Sequence, residues 1–320
     1  MVYLVPSLLF ALGLVLIIKG GDWFVDAAGW MAEVSGMPRF LIGATVVSFA
    51  TTLPELITSV LAAMEGSVDM AVGNAVGSVT ANTGMIMGIS IVAMPMVISR
   101  KQNAPKMLLL LAACGGLWAL CATGSLTVTE GLILLGVFVL FVIENIVSAK
   151  REATMDTAMG TRPPRPTGGV ICKNILLFLI GAAGIVVGAN LLVDNGTELA
   201  TLLGVPEAVI AATMVAIGTS LPELVTTLTA IAKKQASLSI GNIVGANIID
   251  LTLILPICSM ITGGELPMST QGLSLDMPFC FGITCVALIP TLILGKFKRV
   301  QGVAMLAAYA AYIVLMLVRM

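Results

Sequence analysis

The stretch SFATTLPELITS, residues 48–59, lies inside a long apolar run, and AIGTSLPELVTT, residues 216–227, lies inside another one 168 positions further on. Each sets a carboxylate, Glu55 or Glu223, beside a proline and several hydroxyls in the middle of a segment otherwise suited to hydrocarbon. A charge there costs about 3 kcal/mol or more, so a functional role is the default expectation. Pro54 and Pro222 have no N–H to offer the carbonyls of Ala50 and Gly218 and push the preceding turn open, which frees carbonyl oxygens next to the carboxylates.

Working outward, the two stretches belong to an internal repeat. Shifted by 168 residues, positions 36–85 match 17 times without a gap, including Pro38, Thr51, Pro54, Glu55, Gly73 and Asn74 with Pro206, Thr219, Pro222, Glu223, Gly241 and Asn242. Spans rich in Ala, Leu and Val match by chance; matched Pro, Glu, Asn and Thr do not arise that way.

The chain is 58% apolar, carries only 33 charged residues in 320 and has a mean hydropathy of +1.07. Such a composition excludes an ordinary water-soluble domain. Ten apolar stretches fall near residues 4–32, 40–64, 70–97, 105–123, 128–149, 171–200, 207–232, 238–262, 273–295 and 299–318. The N-terminal one lacks a basic start and a small-residue cleavage pattern and is expected to be the first span. Lys and Arg in the nine connections number one, none, three, none, five, none, two, none and three. By the positive-inside rule both termini lie outside a plasma (inner) membrane and the central linker lies in the cytoplasm.

These observations predict an all-α, multi-pass membrane protein of ten transmembrane helices, in two inverted five-helix repeats with helices broken at the midplane. The first repeat is 1–149 and the second 171–320. The linker, 150–170, holds REATMD and RPPRPTGG, which are expected not to be helical. An odd number of spans per repeat inverts the second copy, a common architecture of secondary transporters with the substrate near the midplane.

A second polar string, GNAVGSVTANTG at 73–84, has its copy in GNIVGANIIDLT at 241–252. Asn74, Ser78 and Asn82 share one helix face, as do Asn242, Ala246 and Asp250, and both faces are expected to turn toward a cation. Carboxylates, hydroxyls of Thr51, Thr52, Thr219 and Ser220, and freed carbonyls make an all-oxygen set. Hard cations such as calcium, which takes about six to eight oxygens, are bound by such sets. A simple kinked helix with paired glutamates is the competing explanation, but neither span contains a Lys or Arg to pair with.

The paired G-[ST]-[ST]-x-P-E and G-N-x-x-G-[SA] strings and the inverted ten-span topology resemble the cation/calcium exchanger superfamily, in particular the prokaryotic-type sodium/calcium exchangers. The resemblance covers most of the chain, with Ala50 in place of the first glycine in copy one. It implies that Glu55 and Glu223 are central calcium ligands completed by the Thr51 and Thr219 carbonyls. It further implies sodium sites that use the Ser48 and Ala216 carbonyls and the Thr52, Ser78 and Ser220 hydroxyls, with Asn82 and Asp250 lining the centre. Ala246 stands where these exchangers usually carry Ser, and Thr52 replaces a Ser. Asp250 opposite Asn82 also resembles the potassium-dependent branch.

The expected function is therefore antiport of calcium against sodium, with calcium/proton or potassium-dependent exchange as alternatives. No enzymatic activity, cofactor, nucleic acid or obligatory protein partner is expected; the partners are membrane lipid and the transported cations. The absence of histidine excludes His-ligated metal sites, and nothing resembles a P-loop. An intramembrane aspartyl protease would need two deep Asp, and only Asp250 qualifies. A channel fits poorly, because there is no ring of repeated ligands. The six cysteines form no CxxC and are expected to be buried free thiols.

Overall fold

The computed structural model describes residues 3–159, 166–204 and 220–319. In chain order the helices are α1 (Leu4–Ser35), α2 (Arg39–Met64), α3 (Val68–Ala93), α4 (Arg100–Leu120), α5 (Val128–Met159), α6 (Gly168–Leu202), α7 (Leu221–Ala232), α8 (Ala236–Ile261), α9 (Gly272–Leu294) and α10 (Arg299–Arg319). Among the described residues nine of these are long and apolar enough to cross a membrane; α7, shorter but apolar, follows the undescribed residues 205–219. Large apolar side chains such as Leu8, Leu12, Leu140 and Leu179 are exposed on the outside, as a lipid-facing surface requires.

The expected mid-span breaks take the form of π-helical turns. They cover Gly43–Val47 in α2, Asn82–Met87 in α3 and Asp250–Ile254 in α8. A π turn inserts one residue into the ladder and loosens it without exposing a run of backbone to lipid, and such turns gather at functional sites. Asn82 and Asp250, equivalent under the 168-residue shift, each open a π turn. Pro54 sits inside a helix that continues on both sides of it.

The repeat is visible in the packing. α1 and α6 cross at glycines: a Cβ on Gly13 would come within 2.9 Å of the Gly188 carbonyl, and one on Gly20 within 2.8 Å of the Gly181 carbonyl. Gly13 and Gly20 are themselves the equivalents of Gly181 and Gly188, so each helix presents the same two glycines to the other about a pseudo-twofold axis. The turns ending α2 and α7 also coincide: Ser67 N–H bonds to Ala62 O at 2.8 Å, and Gln235 N–H to Ala230 O at 2.7 Å. Gly66 and Lys234 both adopt positive φ there.

One face of the bundle carries the described ends of the chain and the 65–67, 121–127 and 262–271 connections, the other the 36–38, 94–99, 233–235 and 295–298 connections, the end of α5 and the start of α6. On the termini face, β1 (Ser125–Thr127) pairs antiparallel with β2 (Glu265–Pro267). On the linker face Val97 bridges Lys296, with Ile98 N–H to Gly295 O at 2.9 Å. Both clasps join one repeat to the other.

Three expectations are corrected. α5 runs through the REATMD sequence to Met159, because the prolines at 163, 164 and 166 act only on their own turns; residues 160–165 lie outside the described ones. Lys106, one of the three basic residues counted in the third connection, lies within α4, where its Nζ sits 2.6 Å from Glu144 Oε2 of α5 and 3.2 Å from Ser148 Oγ. Cys172 is exposed and Cys285 half-buried, whereas Cys114, Cys121, Cys258 and Cys280 are buried; all six are free thiols.

Candidate cation site

The two polar strings meet where α2, α3, α7 and α8 cross. Glu55, Glu223 and Asp250 are each 1% exposed, and Ser48, Thr51, Thr52, Ser78, Asn82 and Ser220 are buried with them. Thr219 and Ala216 lie outside the described residues. The three carboxylates are near enough to interact electrostatically. Among the described residues, both oxygens of Glu55, both of Asp250 and Oε2 of Glu223 have no hydrogen-bond partner. The Ser78 and Ser220 hydroxyls and the Asn82 amide oxygen are likewise unpartnered. Buried polar atoms are ordinarily satisfied, and these eight oxygens form a set that suits a positively charged occupant.

Around this set the remaining polar atoms are tied down. Thr52 Oγ1 donates to Ser48 O at 2.7 Å, which occupies the hydroxyl's proton and leaves its lone pairs available. Thr51 Oγ1 donates to Asn242 Oδ1 at 3.1 Å and so links the two repeats. Asn74 and Asn242 act as braces for the glutamate helices: Asn74 Nδ2 donates to Glu55 O at 3.2 Å and Ser59 Oγ at 2.9 Å, and Asn242 Nδ2 donates to Thr226 Oγ1 at 3.2 Å. α8 lies close against α2 because Gly241 and Gly245 leave room: a Cβ on Gly245 would fall 2.7 Å from Ala44 O, and one on Gly241 would overlap Phe40 O.

Asn247 and Thr83 were not singled out by the sequence. Asn247 Oδ1 accepts from Asn82 Nδ2 at 3.1 Å and its Nδ2 donates to Thr83 Oγ1 at 2.8 Å, so Asn247 turns the unpartnered Asn82 oxygen to its position. The equivalent of Asn247 is Val79, so the repeat gives no hint of it. A cavity of about 320 Å³ between α3, α9 and α10 reaches Ser78 and Asn74 and is also lined by Asp276 and Tyr312.

Among the described residues no three His, Cys, Asp or Glu side chains converge closely enough to chelate an ion by themselves. Any cation here needs hydroxyl, amide and carbonyl oxygens in addition to carboxylates, which is the donor set of a hard ion held loosely enough to leave. Two acidic residues near span ends make structural contacts. Glu130 caps α5 by accepting from Thr127 N–H and Oγ1, both at 2.8 Å, and Asp276 accepts from Tyr312 OH at 3.1 Å.

A ten-helix inverted repeat with an all-oxygen carboxylate centre defines a secondary cation transporter. The sequence profile of the sodium/calcium exchanger protein family matches residues 5–147 and 173–318, and the chain belongs to that family of cation/calcium antiporters. The sodium/calcium exchanger MaX1 of Methanosarcina acetivorans is 30% identical over 349 aligned residues, 98% of each chain. The inner membrane protein YrbG of Escherichia coli is 32% identical over 82% of each chain. A solved structure of the sodium-calcium exchanger NCX_Mj, soaked with sodium and strontium, superposes with a TM-score of 0.84 at 29% identity, covering 98% of this chain and 99% of that one.

Proposed function

We propose that the protein exports calcium across the plasma (inner) membrane against an inward sodium gradient, with both termini outside and the 150–170 linker in the cytoplasm. The observation that carries this reading is the set of buried carboxylate oxygens without partners, contributed by both repeats. Glu55 and Glu223 neutralise one calcium, with the Thr51 and Thr219 carbonyls completing its shell. Sodium ions occupy sites built from the Ser48 and Ala216 carbonyls and the Thr52, Ser220 and Ser78 hydroxyls, while Asn82 and Asp250 line the centre. The same carboxylates serve both cargoes, so several monovalent ions and one divalent ion exclude each other. That exclusion, together with a site open to one side at a time, couples the two fluxes.

Asp250 favours a second reading. A third buried carboxylate, unpartnered at both oxygens, exceeds the charge that calcium neutralises and gives a place for a counter-proton or a potassium ion. Calcium-45 uptake into proteoliposomes under imposed sodium, potassium or proton gradients tests both. Sodium-driven uptake that is independent of pH and potassium gradients is expected. Uptake driven by a pH gradient alone would replace the sodium reading with the proton one.

A further inference from the structure

The inverted repeat makes every contact on one face the template for a contact on the other, so positions where the two copies carry opposite chemistry show how the transport cycle is biased. The clearest lies where α1 meets the end of α7. Lys233 Nζ contacts Asp26 Oδ1 at 2.7 Å, Asp22 Oδ1 at 3.3 Å and the Asp22 carbonyl at 3.0 Å. Only 23% of the Lys233 side chain is exposed. Beside this pair, α1 is seated on α7: a Cβ on Gly21 would come within 2.8 Å of Thr229 Oγ1 and 3.0 Å of Val225.

The 168-residue shift gives the counterparts on the termini face. Lys233 becomes Glu65, Asp26 becomes Asp194 and Asp22 becomes Asn190. The equivalence of Glu65 and Lys233 is structural as well as numerical, because both occupy the same residue of the matched turns that end α2 and α7. Here the packing differs. Ile57 and Leu61, the counterparts of Val225 and Thr229, are 56% and 51% exposed, and Glu65 and Asp194 are both exposed. α1 is closed on α7 at the linker face, whereas α6 is not closed in the same way on α2 at the termini face.

We propose that Lys233, held by Asp22 and Asp26, is a latch that keeps the cytoplasmic face shut, and that the described residues form no equal latch outside. Closing the external face by the symmetry-related movement would bring Glu65 toward Asp194, a repulsive pair. The empty carrier therefore rests open to the outside, where sodium is abundant. This rests on the alternating exchange and the orientation proposed above.

Hydrogen–deuterium exchange of the full chain in lipid nanodiscs without sodium or calcium tests the latch independently of transport. In Lys233→Met, exchange at 26–35 and at 233–237 should rise by about two- to fivefold, the range for a partly exposed ion pair, with no rise at 61–70. Glu65→Lys, which sets a basic side chain opposite Asp194, should shift exchange in the same direction. The double swap Asp26→Lys with Lys233→Asp should restore the wild-type pattern. In proteoliposomes the Lys233→Met variant should bind calcium more tightly from the cytoplasmic side and more weakly from outside, since each face is sampled in proportion to its population. Unchanged exchange in Lys233→Met, an equal rise on both faces, or a swap that does not restore the pattern would overturn the latch. Absence of sodium-driven calcium flux in the wild type would instead overturn the function proposed above, and the exchange data would still decide the latch.

Discussion

Glu55→Gln preserves side-chain shape and removes one charge from the centre, so its consequences can be worked out with opposite signs for the empty and occupied protein. At an effective dielectric of about 20, a unit charge roughly 5 Å from a divalent ion interacts with it by about 6 to 7 kcal/mol. Displacing the water, protons or monovalent ions that screen the empty carboxylates consumes part of this, leaving a net loss of about 3 kcal/mol, or more than a hundredfold in calcium affinity. The empty variant, in contrast, is relieved of one of three buried carboxylates that repel one another when ionised, and should melt at or above the wild-type temperature. Calcium at about a hundred times the wild-type Kd stabilises the wild type by about 2.7 kcal/mol, and at the same concentration the variant should gain only a few tenths. Thermal unfolding in detergent, with and without calcium, reads both signs. A variant that melts lower than wild type when empty, or that keeps its calcium-induced shift, would refute Glu55 as a charge held for calcium.

The other predictions address neighbouring parts of the structure. Ala246, fully buried at the site, should on Ala246→Ser add an oxygen for sodium and lower the sodium concentration for half-maximal calcium flux severalfold, with calcium binding nearly unchanged; titrating sodium at fixed pH measures this. Gly245→Ala should cost about 1 to 3 kcal/mol in thermal stability and reduce flux, because the new methyl meets Ala44 O at 2.7 Å and forces α2 from α8. Lys106→Met, which strands Glu144 beside α4, should destabilise by about 3 to 5 kcal/mol, and adding Glu144→Leu should recover most of the loss in melting temperature.

The repeat, the spans and the carboxylate centre were legible because buried Glu, Pro and Asn are costly in hydrocarbon and so stand out against an apolar background. What was not legible has a common physical cause. Asn247, the Lys106–Glu144 pair and the glycine crossing of α1 on α6 all depend on which face of one helix meets which face of another. The matched glycines at 13 and 181, and at 20 and 188, were present in the sequence, but a glycine in an apolar span carries little information until its neighbour is known. The π turns were anticipated only as unspecified breaks, since a single inserted residue leaves no compositional trace. Prolines were read too far into REATMD, where a helix that had already started continued to Met159.

The clasps on the two faces bear on biosynthesis and ancestry. Val97 and Ile98 pair with 295–296, and 125–127 pair with 265–267, so the first repeat offers edges that only the second can close. A five-helix half on its own would leave those backbone groups unpaired near lipid, and a second copy in the same orientation would present them on the wrong sides. A half-length protein built this way would close those edges only against an inverted copy of itself. In the fused chain, the backbone at 96–98 and 125–127 gains its partners only once residues 265–267 and 295–297 have been synthesised.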